Sequence, residues 1–153
     1  RPTGRYLSGM HTNPAHVAAA VSACSALAGG GVLAHLPAPA ADRRVLSAEE
    51  VEVVRAFART RSPRVVAGVA TALDRILAEE VASDAAAVLR HLLRGLEHGP
   101  VAEFGGRLTQ LEPMLAAEAL DAYRAGGRLR LAVTVADAFI TWAIDEASAR
   151  QAA

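Results

Sequence analysis

From residue 45 onward the apolar positions return every three or four residues, and short punctuating motifs divide them into helices. "SAEE" at 47–50 reads as a capping box, with Ser47 as the N-cap and Glu50 reaching back to its amide. Val51, Val54 and Phe57 then form a stripe running to about Thr60. Pro63 opens the next helix in its first turn, where a missing N–H costs nothing. Val66, Val69, Leu73, Ile76 and Leu77 carry that helix to about Glu80. Ser83 and Asp84 are expected to cap a third, whose face is Val88, Leu89, Leu92, Leu93 and Leu96. Pro113 starts a fourth with Leu115, Leu120 and Tyr123, and Gly126–Gly127 stop it. The last helix, about 128–149, is apolar on most of its girth, so it is buried centrally or covered by something else. No run alternates at period two as a strand would. The expected fold is all-α, a single-domain bundle of five or six helices.

Residues 1–44 read differently from 45–153. Arg1 and Arg5 precede a stretch without charge from 15 to 36, and Ala38-Pro39-Ala40 follows. That is the layout of an export signal, a basic start, an apolar middle and a small-residue cleavage site. "GRYLSG" at 4–9 is one arginine short of a twin-arginine signal. The competing reading is an ordinary helix over about 14–28, ended by Gly29-Gly30-Gly31. The chain thus divides into a signal-like helix and loop at 1–44 and a helical domain at 45–153.

Composition sharpens the helical reading. Ala supplies most of the apolar half of the chain, and Ala is the best helix former. Acidic and basic residues balance, which argues against a nucleic-acid footprint or an anionic-membrane face over the domain. Every basic residue is Arg, a type that suits protein interfaces. Cys24 stands alone, so no internal disulfide forms, and its small-residue helical setting suits packing rather than catalysis.

No catalytic constellation assembles. Gly29–Gly31 follow a helix rather than a strand, and there is no phosphate-binding P-loop, no HExxH and no paired CxxC. His91 and His98 lie seven apart with Glu97 alongside, too few ligands for a metal site. Arg43, Arg44, Arg55, Arg59, Arg61 and Arg64 alternate with Glu49, Glu50 and Glu52, which reads as a solvated, salt-laced surface. No catalytic, cofactor-binding or metal-ligating residue is assigned.

One stretch concentrates backbone-specialised residues: "GLEHGPVAEFGGRLTQLEP", 95–113. Gly99 is expected at C′, closing its helix in the left-handed conformation, with Pro100 preventing continuation. Phe104 offers an apolar anchor, Gly105 and Gly106 let backbone approach closely, and Arg107 stands beside them. A phosphate site lacks its strand–loop–helix frame, so a shaped connection presenting Phe104 and Arg107 to a partner fits better.

The segment from Leu92 to Ala143 resembles the C-terminal half of the gluconate 2-dehydrogenase subunit 3-like family, small subunits of membrane-bound flavin dehydrogenases. The matching residues are His98, Gly99, Pro100, Phe104, Gly105, Gly106, Leu111, Pro113, Leu120, Tyr123 and Arg128, and "LSAEEVEVVRAFA" at 46–58 is similar to the family's first mature helix. The resemblance implies a non-catalytic accessory subunit. Its partner would be a large FAD-dependent oxidoreductase subunit of the glucose–methanol–choline class, which holds the FAD. The small subunit stabilises that partner and escorts it for export, which favours a cell-envelope complex over a cytoplasmic one and admits membrane association through the complex. No nucleic acid is expected. Expected partner contacts are His98, Pro100, Phe104, Gly105, Gly106, Arg107, Tyr123 and Trp142, because buried aromatics and Arg dominate interfaces. The rival reading is the ligand-binding or dimerisation domain of a helical transcriptional regulator, which predicts self-association and an apolar internal pocket.

Overall fold

The computed structural model describes residues 14–28 and 36–153. Over these all the regular structure is helical, with no strand. The helices are α1 (Pro14–Ala28), α2 (Ala48–Arg61), α3 (Val66–Glu79), α4 (Ser83–His98), the single turn α5 (Val101–Phe104), α6 (Pro113–Ala125) and α7 (Arg130–Ala152), with 3-10 turns at Pro63–Val65 and Leu108–Gln110. The all-α single-domain bundle is therefore the observed fold. Residues 14–28 form the helix α1. The basic start and the glycine run of the signal-like reading, in 1–13 and 29–35, lie outside the described residues.

Local chemistry explains most boundaries. At α2 the Glu50 amide donates to the Ser47 hydroxyl oxygen at 3.3 Å, and the Ser47 amide donates to Glu50 Oε2 at 2.6 Å, a complete capping box. Pro113 occupies the first turn of α6 as its sequence position predicts. Two expectations are corrected. Pro63 opens a 3-10 turn, and the α-helix starts three residues later at Val66. Ser83 does not cap α4. It is the first helical residue, Ala82 takes the N-cap without a side-chain bond, and the Asp84 carboxylate accepts from the next amide, Ala85, at 2.8 Å.

α7 is the central element. It packs on α3, α4, α1 and α6, and Val133, Ala136, Phe139, Ile140 and Ala143 on it are fully buried. That accounts for its apolar girth: it is covered on several sides by the chain's own helices. α1 lies outermost, with Ala20 and Cys24 joining the shared core through α4 and α7.

Three buried carboxylates fasten the connections, each answering the rule that buried charge must be paired. Asp74 on α3 accepts from the successive amides of Arg44, Val45 and Leu46 at 2.9–3.0 Å, holding the approach to α2. Glu50 is 0% exposed. Beyond its capping role it takes a bidentate bond from Arg90 on α4, Nε to Oε1 at 2.8 Å and Nη2 to Oε2 at 3.0 Å. The same Nη2 donates to the Pro37 carbonyl at 2.5 Å. The expectation of a solvated charge run thus fails at Glu50. It holds for the exposed Arg55–Glu52 pair at 2.6 Å and for the exposed Arg59 and Arg64. The third carboxylate, Glu97, belongs to the corner described next.

Candidate docking corner and an adjoining groove

The 95–113 stretch is built as a rigid corner, and its glycines work differently from expectation. Gly99 is right-handed, φ −55° and ψ −42°, and continues the path of α4 instead of closing it in a left-handed turn. Its lack of a side chain serves close packing. A Cβ there would stand 2.3 Å from Leu129 Cδ1 and 3.0 Å from the Gly95 carbonyl oxygen, so the α6–α7 connection lies directly on this backbone. The buried Pro100 then starts α5, and the left-handed closure falls at Gly105, φ 79°, with its amide bonded to the Val101 carbonyl at 3.2 Å. Sequence reasoning misplaced it because α5 is too short to leave a periodic trace.

The far side of the corner is tied down by Glu97, which is buried. It accepts from the Thr109 hydroxyl at 2.5 Å and from the Thr109 amide at 3.3 Å. The Arg107 amide donates to the Gln110 side-chain oxygen at 3.1 Å. Glu97 is therefore turned inward and does not join His91 and His98. His98 Nε2 faces Glu49 Oε1 at 3.4 Å, and among the described residues no three metal-ligating side chains converge.

The corner gathers most of the expected contact residues. His98, Gly105 and Arg107 are exposed, Phe104 and Gly106 are half-buried, and Pro100 is buried. Tyr123 lies behind them at 6% exposure, its hydroxyl 3.4 Å from where a Cβ on Gly99 would stand and without a hydrogen-bond partner. Burial pushes its phenol above the usual tyrosine range, the Glu103 carboxylate adds to this, and Arg128 opposes it. Trp142 is half-buried on α7, thirteen residues beyond Leu129 and so about 20 Å along the helix from the corner. It does not belong to the same patch. Two exposed apolar residues that sequence reasoning passed over lie in or next to this stretch. Val101 is 49% exposed, and Met114, at the start of α6, is 82% exposed. Neither stood out, because single apolar residues between glycines and prolines carry no period.

A groove of about 860 Å³ opens between α1 on one wall and α2, α6 and α7 on the other. Its apolar lining includes Val17, Ala20, Leu131, Val135 and Ala138. At its polar end Arg124 forks onto Asp137, Nε to Oδ2 and Nη2 to Oδ1 both at 2.8 Å, and reaches Asp121 at 2.6 Å. Its guanidinium carbon stands 5.7 Å from the centre of the Phe57 ring. These carboxylates, Asp137 first, hold the Arg124 guanidinium even more firmly protonated than usual. Arg61 donates through Nη1 to Asp137 Oδ1 at 3.2 Å and to the Thr141 hydroxyl oxygen at 2.7 Å. The groove was not legible in the sequence, since it exists only where four helices meet.

No protein-family model matches the chain, and neither a curated protein nor a solved structure is significantly similar to it. Among the described residues no helix is long and apolar enough to cross a membrane.

Proposed function

We propose that this chain is the non-catalytic small subunit of a flavin-dependent oxidoreductase, docking on and stabilising a large FAD-bearing subunit of the glucose–methanol–choline class. The family resemblance supplies the identity of the partner. The observation that supports the docking itself is that two large apolar side chains, Val101 and Met114, are left exposed on or next to a stretch held rigid from within. Burying side chains of this size is worth about 1.5–3 kcal/mol each. A backbone already fixed by Glu97, Gly105 and the Gly99–Leu129 contact loses little entropy on binding. The exposed Arg107 in the same stretch supplies a polar group for the rim. In this reading FAD stays with the partner, the complex is exported to the cell envelope, and any membrane association belongs to the complex.

The test is to purify the tagged chain from its native cell without denaturant, with mass spectrometry to identify its company and visible absorbance to detect flavin. The expected result is a stoichiometric large flavoprotein, lost in a Val101→Glu, Met114→Glu variant whose melting temperature is unchanged. A colourless homodimer would overturn the reading and favour the transcriptional-regulator alternative.

A further inference from the structure

We infer that the groove between α1 and α7 is a binding site for a small amphiphile with one anionic head, such as a medium-chain carboxylate. The inference is independent of the docking proposal, because the groove and the corner use different residues.

The polar end of the groove holds two arginines and two aspartates, ion-paired with one another, and their bonds show which donors are unspent. Asp137 accepts on both oxygens, with Arg124 and Arg61 sharing Oδ1. Arg124 uses Nε, Nη1 and Nη2 on two carboxylates. Asp121 stands far out in solvent, its side chain 74% exposed. Arg61 differs. Among the described residues it bonds only through Nη1, so Nε and Nη2 remain as donors at the groove. Thr141 accepts from Arg61 and keeps its own O–H to give. A guanidinium edge with a neighbouring hydroxyl is the donor set that a carboxylate takes, and Arg is the side chain best shaped for it.

The body of the ligand is argued from the rest of the lining. Val17 and Ala20 on α1 and Leu131, Val135 and Ala138 on α7 supply the groove's apolar lining. Leu131 is left 46% exposed there, on a helix that packs against α1, α3, α4 and α6. The volume lies within the usual range of roughly 300–1,000 Å³ for small-molecule sites, which likewise combine mostly apolar walls with a few placed polar groups. A neutral apolar molecule would leave the Arg61 donors idle, and a cationic head would face two arginines and an Asp137 already bonded on both oxygens.

The test is isothermal titration of the full chain with decanoate, decanol and decyltrimethylammonium, each below its micelle concentration. Decanoate is expected to bind one to one, at least about tenfold more tightly than either analogue, since a hydrogen bond to a charged group is worth about a factor of ten or more. Arg61→Gln is expected to remove that preference and leave decanol unchanged. Leu131→Asp, at a solvent-facing position that does not threaten the fold, is expected to weaken decanoate and decanol alike. Equal affinity for the three heads, no binding by a folded wild-type chain, or indifference to Leu131→Asp would each overturn the inference. If Arg61→Gln fails to melt cooperatively, Leu131→Asp and the head-group series still decide.

Discussion

Gly99 and Gly105 are six residues apart and look alike in the sequence, yet they are glycines for different reasons. At Gly105 the backbone is left-handed and the space where a Cβ would stand is empty. Substitution there meets only conformational strain, about 1–2 kcal/mol for a residue with a Cβ. At Gly99 the backbone is ordinary and the obstacle is Leu129 Cδ1. Alanine at either site should therefore destabilise the chain by about 1–2 kcal/mol in urea unfolding, but a double-mutant cycle separates them. Leu129→Ala should absorb most of the Gly99→Ala cost and none of the Gly105→Ala cost, whereas Gly105→Asn should cost less than Gly105→Ala because Asn tolerates the left-handed region. No coupling of Gly99 to Leu129 would show that the corner is held by backbone strain alone. The sequence announces that this corner is special through its Gly and Pro content. It does not announce which glycine does which task, since that depends on Leu129, thirty residues downstream of Gly99.

At the scale of elements, helix starts were legible wherever a local motif sets them, as at Ser47–Glu50 and Pro113, because the interacting groups lie within one turn. What stayed hidden was the fastening between elements. Glu50, Asp74 and Glu97 each carry the same letter code as a solvated surface acid, and their partners lie 40, 28–30 and 12 residues away. Burial, not distance, decides what these bonds are worth. The exposed Arg55–Glu52 pair is short, 2.6 Å, yet such pairs contribute only about 0–1 kcal/mol. Asp74 instead satisfies three amides that would otherwise be left without acceptors, and bonds to a charged group run about 1.5–3 kcal/mol. Asp74→Ala should thus cost about 3 kcal/mol or more in equilibrium unfolding, with amide exchange accelerated selectively at 44–46. Glu52→Gln should stay within about 0.5 kcal/mol of wild type. Comparable losses from the two substitutions would refute this ranking.

For the whole molecule, the open issue is how firmly α1 belongs to the bundle. It bears no charged side chain and faces solvent over much of its surface, and its fully covered anchor is Cys24. Burial pushes that thiol from 9.0 up to about 11. The folded state therefore holds the proton more tightly than the unfolded chain does. The stability gained from burying the neutral thiol is complete below pH 9, and it drains away as pH rises from 9 toward 11, by about 2–3 kcal/mol in all. Because Cys24 sits on α1, the loss should act first on the docking of that helix and only then on the bundle. Thiol labelling at pH 8 should accordingly be slow but only weakly dependent on urea, the mark of a sub-global opening. It should accelerate from pH 9 to 11 by more than the rise in thiolate of a free cysteine explains, while helical circular dichroism changes little. Decanoate at saturation should slow the labelling if the groove binds it, since its α1 wall would then be held shut. Labelling with the full urea dependence of global unfolding would instead make α1 an inseparable part of the core.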